Sequence, residues 1–165
     1  MDKKTFWLGF ATGVLLLILS GFYFYNKIFD QEGYDLDQLK VETLEGEKVT
    51  LESYNDKPIV LNYWATWCAP CLKEFPDFEE IKKEYGDKVN FIMVSDESAD
   101  KIRKFIDKNP YSFTFLRTDT KLSEIGIIAR PVTYLYNNEG KLVSQYVTQL
   151  DADGLRKMIE AILKN

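Results

Sequence analysis

Residues 59–76, IVLNYWATWCAPCLKEFP, decide how the rest of the chain is read. From Ile59 to Ala65 the run is almost continuously apolar and is bounded by Pro58, the mark of a central strand covered on both faces. The period then changes. From Ala69 to about Tyr85 apolar residues recur at Leu72, Phe75, Phe78 and Ile81, which is helical spacing, and Pro76 inside the run predicts a kink. A buried strand therefore passes directly into a helix. At the junction stand Cys68 and Cys71, the only cysteines among 165 residues.

Three readings compete for such a pair: half of a metal site, a structural clip, or a working redox couple. A zinc half-site needs a second pair of ligands, which a chain with two cysteines and no histidine supplies only by sharing a metal between molecules. A disulfide across two intervening residues closes too small a loop to remove much denatured-state entropy, so stabilisation is a poor reason for it. Placement favours redox chemistry. At a helix start, unpaired N–H groups and the positive dipole end favour a thiolate, making Cys68 the candidate nucleophile and Cys71, one turn on and deeper, the resolving thiol. Pro70 between them suits a first helical turn, where its missing N–H costs nothing.

Outward from this junction, strands and helices alternate. Leu39, Val41 and Thr43 alternate with charged residues, LEGEK turns, and Val49 and Leu51 resume, predicting a hairpin. Val89 to Ser95 reads as a second buried strand, followed by a helix carrying Ile102, Phe105 and Ile106 that ends before Pro110. Phe113 to Leu116 reads as a strand and Thr120 to Ile125 as a short helix. Val132 to Tyr136 and Lys141 to Val147 flank the turn NNEGK as a hairpin, and Asp151 caps a last helix with Leu155, Met158, Ile159 and Ile162 on one face. The pattern predicts one α/β domain, residues 37–165, with a mixed sheet and helices on both faces.

At the amino end, residues 5–26, TFWLGFATGVLLLILSGFYFYN, carry no charge, and about 20 helical residues span a bilayer core of roughly 30 Å. Lys3 and Lys4 precede the run and an acidic stretch follows Lys27, so the positive-inside rule keeps residues 1–4 in the cytoplasm and exports the remainder. Residues 27–36 then form a short linker. A cleaved signal peptide is the competing reading, with Ser20 and Gly21 as the small residues; the length of the run and the lack of an A-x-A-like site speak for an uncleaved anchor. The net charge of −5, without a basic block, gives no reason to expect nucleic-acid binding. The absence of histidine removes histidine general-base chemistry and haem attachment through C-x-x-C-H. No cofactor is expected.

WATWCAPC, with Pro131 about sixty residues later in ARPVTYLYNNEGK, resembles the thioredoxin superfamily; CLKEFP, with LEGEKVTLESYNDKPIVLNYWATWC ahead of it, resembles its membrane-anchored TlpA/ResA-like branch. The resemblance covers roughly residues 37 to 165. It implies a thioredoxin-like fold with an N-terminal β-hairpin extension, thiol–disulfide exchange outside a bacterial inner membrane, and Pro131 as a cis-proline facing the disulfide, where the preceding backbone is free to pair with substrate. It also implies disulfide-bearing protein clients, apocytochrome c foremost, and a membrane protein that delivers electrons from cytoplasmic thioredoxin. Where thioredoxin keeps a buried aspartate on the central strand this chain has Asn62; Glu74, three residues after Cys71, matches the branch's active-site glutamate and is the expected proton partner of Cys71. Glu97, after VNFIMVS, is a second candidate acid. Trp67 is expected to cover the site or meet substrate, and Tyr63 and Trp64 to fill core; Arg130 reads first as a solvated arginine, with a substrate-binding role, favouring the Cys68 thiolate or an acidic partner, as the alternative. Two other functions are carried forward: an oxidant that introduces disulfides, and a copper-binding assembly factor using the cysteine pair for Cu(I). A peroxidase of the peroxiredoxin type shares the broader fold but places its cysteine differently.

Overall fold

Strand Ile59–Tyr63 lies in the interior of the sheet, paired on both sides, and every one of its residues is buried. The computed structural model describes residues 3–29, 36 and 39–164. In chain order the strands are β1 (Val41–Thr43), β2 (Lys48–Val49), β3 (Ile59–Tyr63), β4 (Asn90–Ser95), β5 (Thr114–Arg117), β6 (Val132–Tyr136) and β7 (Leu142–Tyr146), and the helices α1 (Lys3–Phe29), α2 (Ala69–Tyr85), α3 (Ala99–Ile106) and α4 (Ala152–Leu163). Short 3-10 turns occupy Leu51–Tyr54 and Leu122–Ile125. The sheet order is β2-β1-β5-β4-β3-β6-β7. β3 runs parallel to β4 and antiparallel to β6, with Tyr63 opposite Val132, and β4 runs parallel to β5. The N-terminal hairpin joins antiparallel at β5, and β7 closes the other edge.

Both hairpin turns rest on glycine. Gly46 and Gly140 have φ of 91° and 75°, a region where other residues are strained, and Asn137 Oδ1 accepts from the backbone of Glu139 (3.1 Å) and Lys141 (2.9 Å) to shape the NNEGK turn. Asp151 caps α4 as expected, its Oδ1 accepting from Gly154 N at 2.8 Å.

Alternation along the strands divides the core in two. Val60, Phe91, Met93, Phe115 and Leu135 face α2, α3 and α4, whereas Ile59, Leu61, Tyr63, Ile92, Val94, Tyr134 and Tyr136 face Leu36, Leu39, Leu51, Leu122 and Ile127. The sequence predicts helices on both faces; the α-helices of the domain instead lie on one, and the two 3-10 turns and the segment before β1 cover the other. The crossovers β3-α2-β4 and β4-α3-β5 step the same way across the sheet, and right-handed connections then put both helices on one side. Trp64 is wholly buried there among Phe75, Phe105 and Phe115, with ring centroids 4.9–5.6 Å apart, and Tyr63 packs on Tyr134 across the other face (5.6 Å). Both aromatics fill core as the sequence predicts. α2 continues through Pro76 without interruption: the ring is on the exposed side, while Phe75 and Phe78 are buried.

The chain separates into two compact units, residues 1–32 and 33–165. In the first, α1 contains the expected 5–26 segment and runs past it at both ends. Its side chains are described at Trp7 and at residues 9–23, all exposed; among the described residues no helix is long and apolar enough to cross a membrane. Residues 1 and 2 of the expected cytoplasmic segment, and residues 30–35 of the expected 27–36 linker, lie outside the described residues.

Candidate active site

Cys68 is the N-cap of α2. Its backbone is extended (φ −82°, ψ 92°), and its Sγ accepts from Cys71 N at 3.3 Å, the place usually taken by a serine or aspartate oxygen. A turn closed by Cys68 N donating to Ala65 O (3.0 Å) brings the chain there from β3, and Pro70 sits in the first helical turn. The two sulfurs are bonded to each other, with Cα atoms 5.3 Å apart. Cys68 is 3% exposed and Cys71 is fully buried, the order expected of an attacking and a resolving thiol.

Beneath the pair lies a polar cluster in an otherwise apolar layer. Glu74 is completely buried; its Oε1 accepts from Asn62 Nδ2 (2.8 Å) and its Oε2 from Leu150 N (3.0 Å). Asn62 Nδ2 also donates to Thr133 Oγ1 (3.0 Å), and its buried Oδ1 has no partner. Burial pushes the Glu74 carboxyl up to about 7, assisted by the charge of Asp77, while the bonds from Leu150 and Asn62 hold it down. A carboxyl poised there exchanges a proton readily near neutral pH.

Pro131 follows a cis peptide after Arg130. The antiparallel register that sets Val132 opposite Tyr63 puts it one residue beyond the paired ends of β6 and β3, at the edge from which the chain leaves for Cys68. Arg130 is not a solvated arginine. Its Nη2 donates to Asp96 Oδ2 at 2.8 Å, and its Cζ lies 5.4 Å from the centroid of the Trp67 ring. Trp67 is 68% exposed, unlike its neighbours in the sequence. Glu97 does not stand as a free acid either: Oε2 accepts from Thr66 N (2.5 Å), Oε1 from Thr66 Oγ1 (3.0 Å), and Lys101 Nζ is 3.6 Å away. It holds the loop that delivers Cys68.

The structure thus brings Cys68, Cys71, Glu74, Trp67, Arg130 and Pro131 to one end of the sheet. Thr133, Leu150 and Asp96 were not picked out by sequence reasoning. Asp96 and Glu97 follow the carboxyl end of β4 beside the carboxyl end of β3, where parallel sheets gather their functional groups, and that topological signal points to both. Leu150 contributes only its backbone N–H, for which no side-chain pattern exists.

A cysteine pair heading the helix that follows the buried strand β3, with a cis-proline strand alongside, defines a thiol–disulfide oxidoreductase on a thioredoxin-like fold. The chain belongs to the AhpC/TSA family, whose sequence profile matches residues 33–146, and to the TlpA/ResA-like thiol–disulfide oxidoreductases. It is 32% identical over 148 residues to the thioredoxin-like protein YneN of Bacillus subtilis, covering 82% of this chain and 87% of YneN. It is 31% identical over 163 residues to the thiol-disulfide oxidoreductase ResA of Bacillus cereus, covering 90% and 93%. Among solved structures it resembles the exposed lipoprotein thioredoxin Etrx1 of Streptococcus pneumoniae, with a TM-score of 0.64 and 26% identity over 74% of this chain and 98% of that one.

Proposed function

We propose that this enzyme is a membrane-anchored protein-disulfide reductase working outside the cytoplasmic membrane. The observation that carries the reading is the pairing of Cys68 and Cys71 at the head of α2 with a fully buried carboxyl, Glu74, three residues further on and titrating near 7. In the reduced enzyme the Cys68 thiolate attacks one sulfur of a client disulfide, forming a mixed disulfide and expelling the other client sulfur as a thiolate. Glu74, ionised, takes the proton of Cys71; the Cys71 thiolate attacks Cys68 Sγ, releases the second client thiolate and leaves Cys68–Cys71 oxidised. The client's extended backbone lies beside Pro131, and Trp67 and Arg130 form the adjoining contact surface.

The anchor is the uncharged segment 5–26, supported by exposed apolar side chains such as Leu17 and Ile18, by Lys3 and Lys4 before it, and by the acidic residues that follow Lys27 after it. A location outside the membrane accords with the exposed-lipoprotein description of Etrx1. There the surroundings are oxidising, so reduction requires a membrane thiol donor drawing electrons from the cytoplasm. Apocytochrome c, whose haem-binding cysteines must be reduced before attachment, is the proposed client.

In cells, Cys71→Ser should trap clients as thiol-sensitive adducts on Cys68; absence of adducts refutes the exchange mechanism. Thiol trapping of the parent protein should find the pair mostly reduced, and oxidised once the donor is removed. A pair that stays oxidised in both, and an equilibrium with glutathione at an oxidising potential, would instead mark a disulfide-forming oxidant. Protease added to intact spheroplasts degrades the 37–165 domain if it is exported.

A further inference from the structure

One guanidinium ties together the three segments around the disulfide. Arg130 immediately precedes cis-Pro131, its Nη2 donates to Asp96 in the loop after β4, and its Cζ lies 5.4 Å from the ring of Trp67, the residue before Cys68. Asp96 is itself fixed, since the same Oδ2 accepts from Leu122 N at 3.1 Å. Side-chain exposures of 11% for Arg130 and 17% for Asp96 leave little water to screen the pair. Arg130 Nε is buried without an acceptor, so the ion pair and the indole face are what orient the guanidinium.

We propose that Asp96 is a positioning residue for thiol–disulfide exchange: acting through Arg130, it fixes the indole of Trp67 beside Cys68 and withholds the guanidinium charge from the Cys68 sulfur. The inference rests on Cys68 being the attacking thiol. A cation within about 6 Å of an indole centroid is attracted to its negative face. Only a planar guanidinium bonds a carboxylate in its plane while offering its flat side to a ring; an ammonium keeps the ion pair and loses the stacking. Because the pair is neutral as a whole, removing either member exposes the other's charge, and the two removals act on Cys68 with opposite sign. Other charged groups at this end of the sheet include Glu97, paired with Lys101 and bonded to Thr66, Arg117, which donates to Glu97 O and pairs with Glu42 and Asp119, and Glu74 on α2. They are the same in every variant below.

The test uses the full-length reduced protein in detergent, measuring alkylation of Cys68 by iodoacetamide against pH, read on the Cys68 peptide by mass spectrometry. Asp96→Asn keeps an acceptor for Leu122 N and should lower the thiolate midpoint by about half a pH unit or more; Arg130→Gln should raise it similarly; the double variant should return to the parent value. Arg130→Lys should leave the midpoint near the parent's yet increase acrylamide quenching of the Trp67 fluorescence, taken as the difference from Trp67→Phe. A double variant that stays shifted as far as Arg130→Gln would show the guanidinium acting on the sulfur without neutralisation, and no shift in Asp96→Asn would show the pair electrically irrelevant. Either outcome overturns the proposal. The Cys71→Ser trap reports separately on exchange itself, so the two readings fail in different experiments.

Discussion

Replacing Glu74 by glutamine should make the folded protein more stable at neutral and alkaline pH, although the glutamate is fully buried and hydrogen-bonded. Its carboxyl midpoint rises from 4.5 to about 7 on folding. Between those values the native state holds a proton that the unfolded chain has released, so native stability falls as pH rises through this window and then levels off. Below about 4.5 the group is protonated in both states and contributes nothing. The displacement corresponds to about 3 kcal/mol, a large share of the roughly 5–15 kcal/mol that stabilises a domain. Glutamine keeps an acceptor for Leu150 N, and a turn of the Asn62 amide lets its Oδ1, at present unpartnered, accept from the new side-chain NH2. Urea unfolding of the oxidised protein, in which neither cysteine titrates, measures the difference between variant and parent at pH 4, 6 and 8. That difference should grow by about 3 kcal/mol in favour of Glu74→Gln across the series. A difference that stays flat with pH would falsify the claim that Glu74 carries a strained ionisation, whatever its sign at any one pH.

Asn62→Asp sets a second carboxylate where the amide now lies 2.8 Å from Glu74; the pair then shares one proton, and the acidic limb of the exchange-rate profile should move up by about one pH unit or more. Glu97→Ala leaves Thr66 N–H without its acceptor and should cost about 2 kcal/mol in chemical denaturation, most of it recovered in Glu97→Gln. Gly126→Ala meets nothing within 4 Å but forces alanine to φ of 81° ahead of the Pro131 strand; a loss of about 1 kcal/mol, read as a lower Tm, is expected from the backbone alone.

The fold and the reactive pair were legible because their signals are local. IVLNYWA is apolar throughout because both faces of β3 are covered, and the α2 stripe at Phe75, Phe78 and Ile81 repeats at helical spacing because one face is buried. Glu74 was found by counting one helical turn from Cys71 and by a family motif. What held it in place was hidden: Leu150 bonds it through a backbone N–H from 76 residues further on, and Asn62, which donates to it, is itself bonded to Thr133, 71 residues beyond Asn62, through sheet register. Arg130 was misread as solvated because its partner, Asp96, is 34 residues away on another loop. Glu97 was marked as an acid of the site and is a clamp on Thr66, a distinction that depends on which donors meet a carboxylate and not on the residue type. The same-side placement of α2 and α3 follows from strand order, which periodicity along the chain does not encode.

The bond from Leu150 N to Glu74 Oε2 sets an order of events during synthesis. Ribosomes deliver the chain amino end first, so the cysteines and Glu74 emerge well before Leu150, which stands next to the Asp151 cap of α4. An unfinished chain possesses both thiols and the carboxyl but not the main-chain donor that holds that carboxyl down, and it gains that donor only when the last helix docks. The protein acquires its sulfur chemistry early and its proton control last, so a chain cut short before residue 150 would leave a dithiol with an unregulated acid beside it.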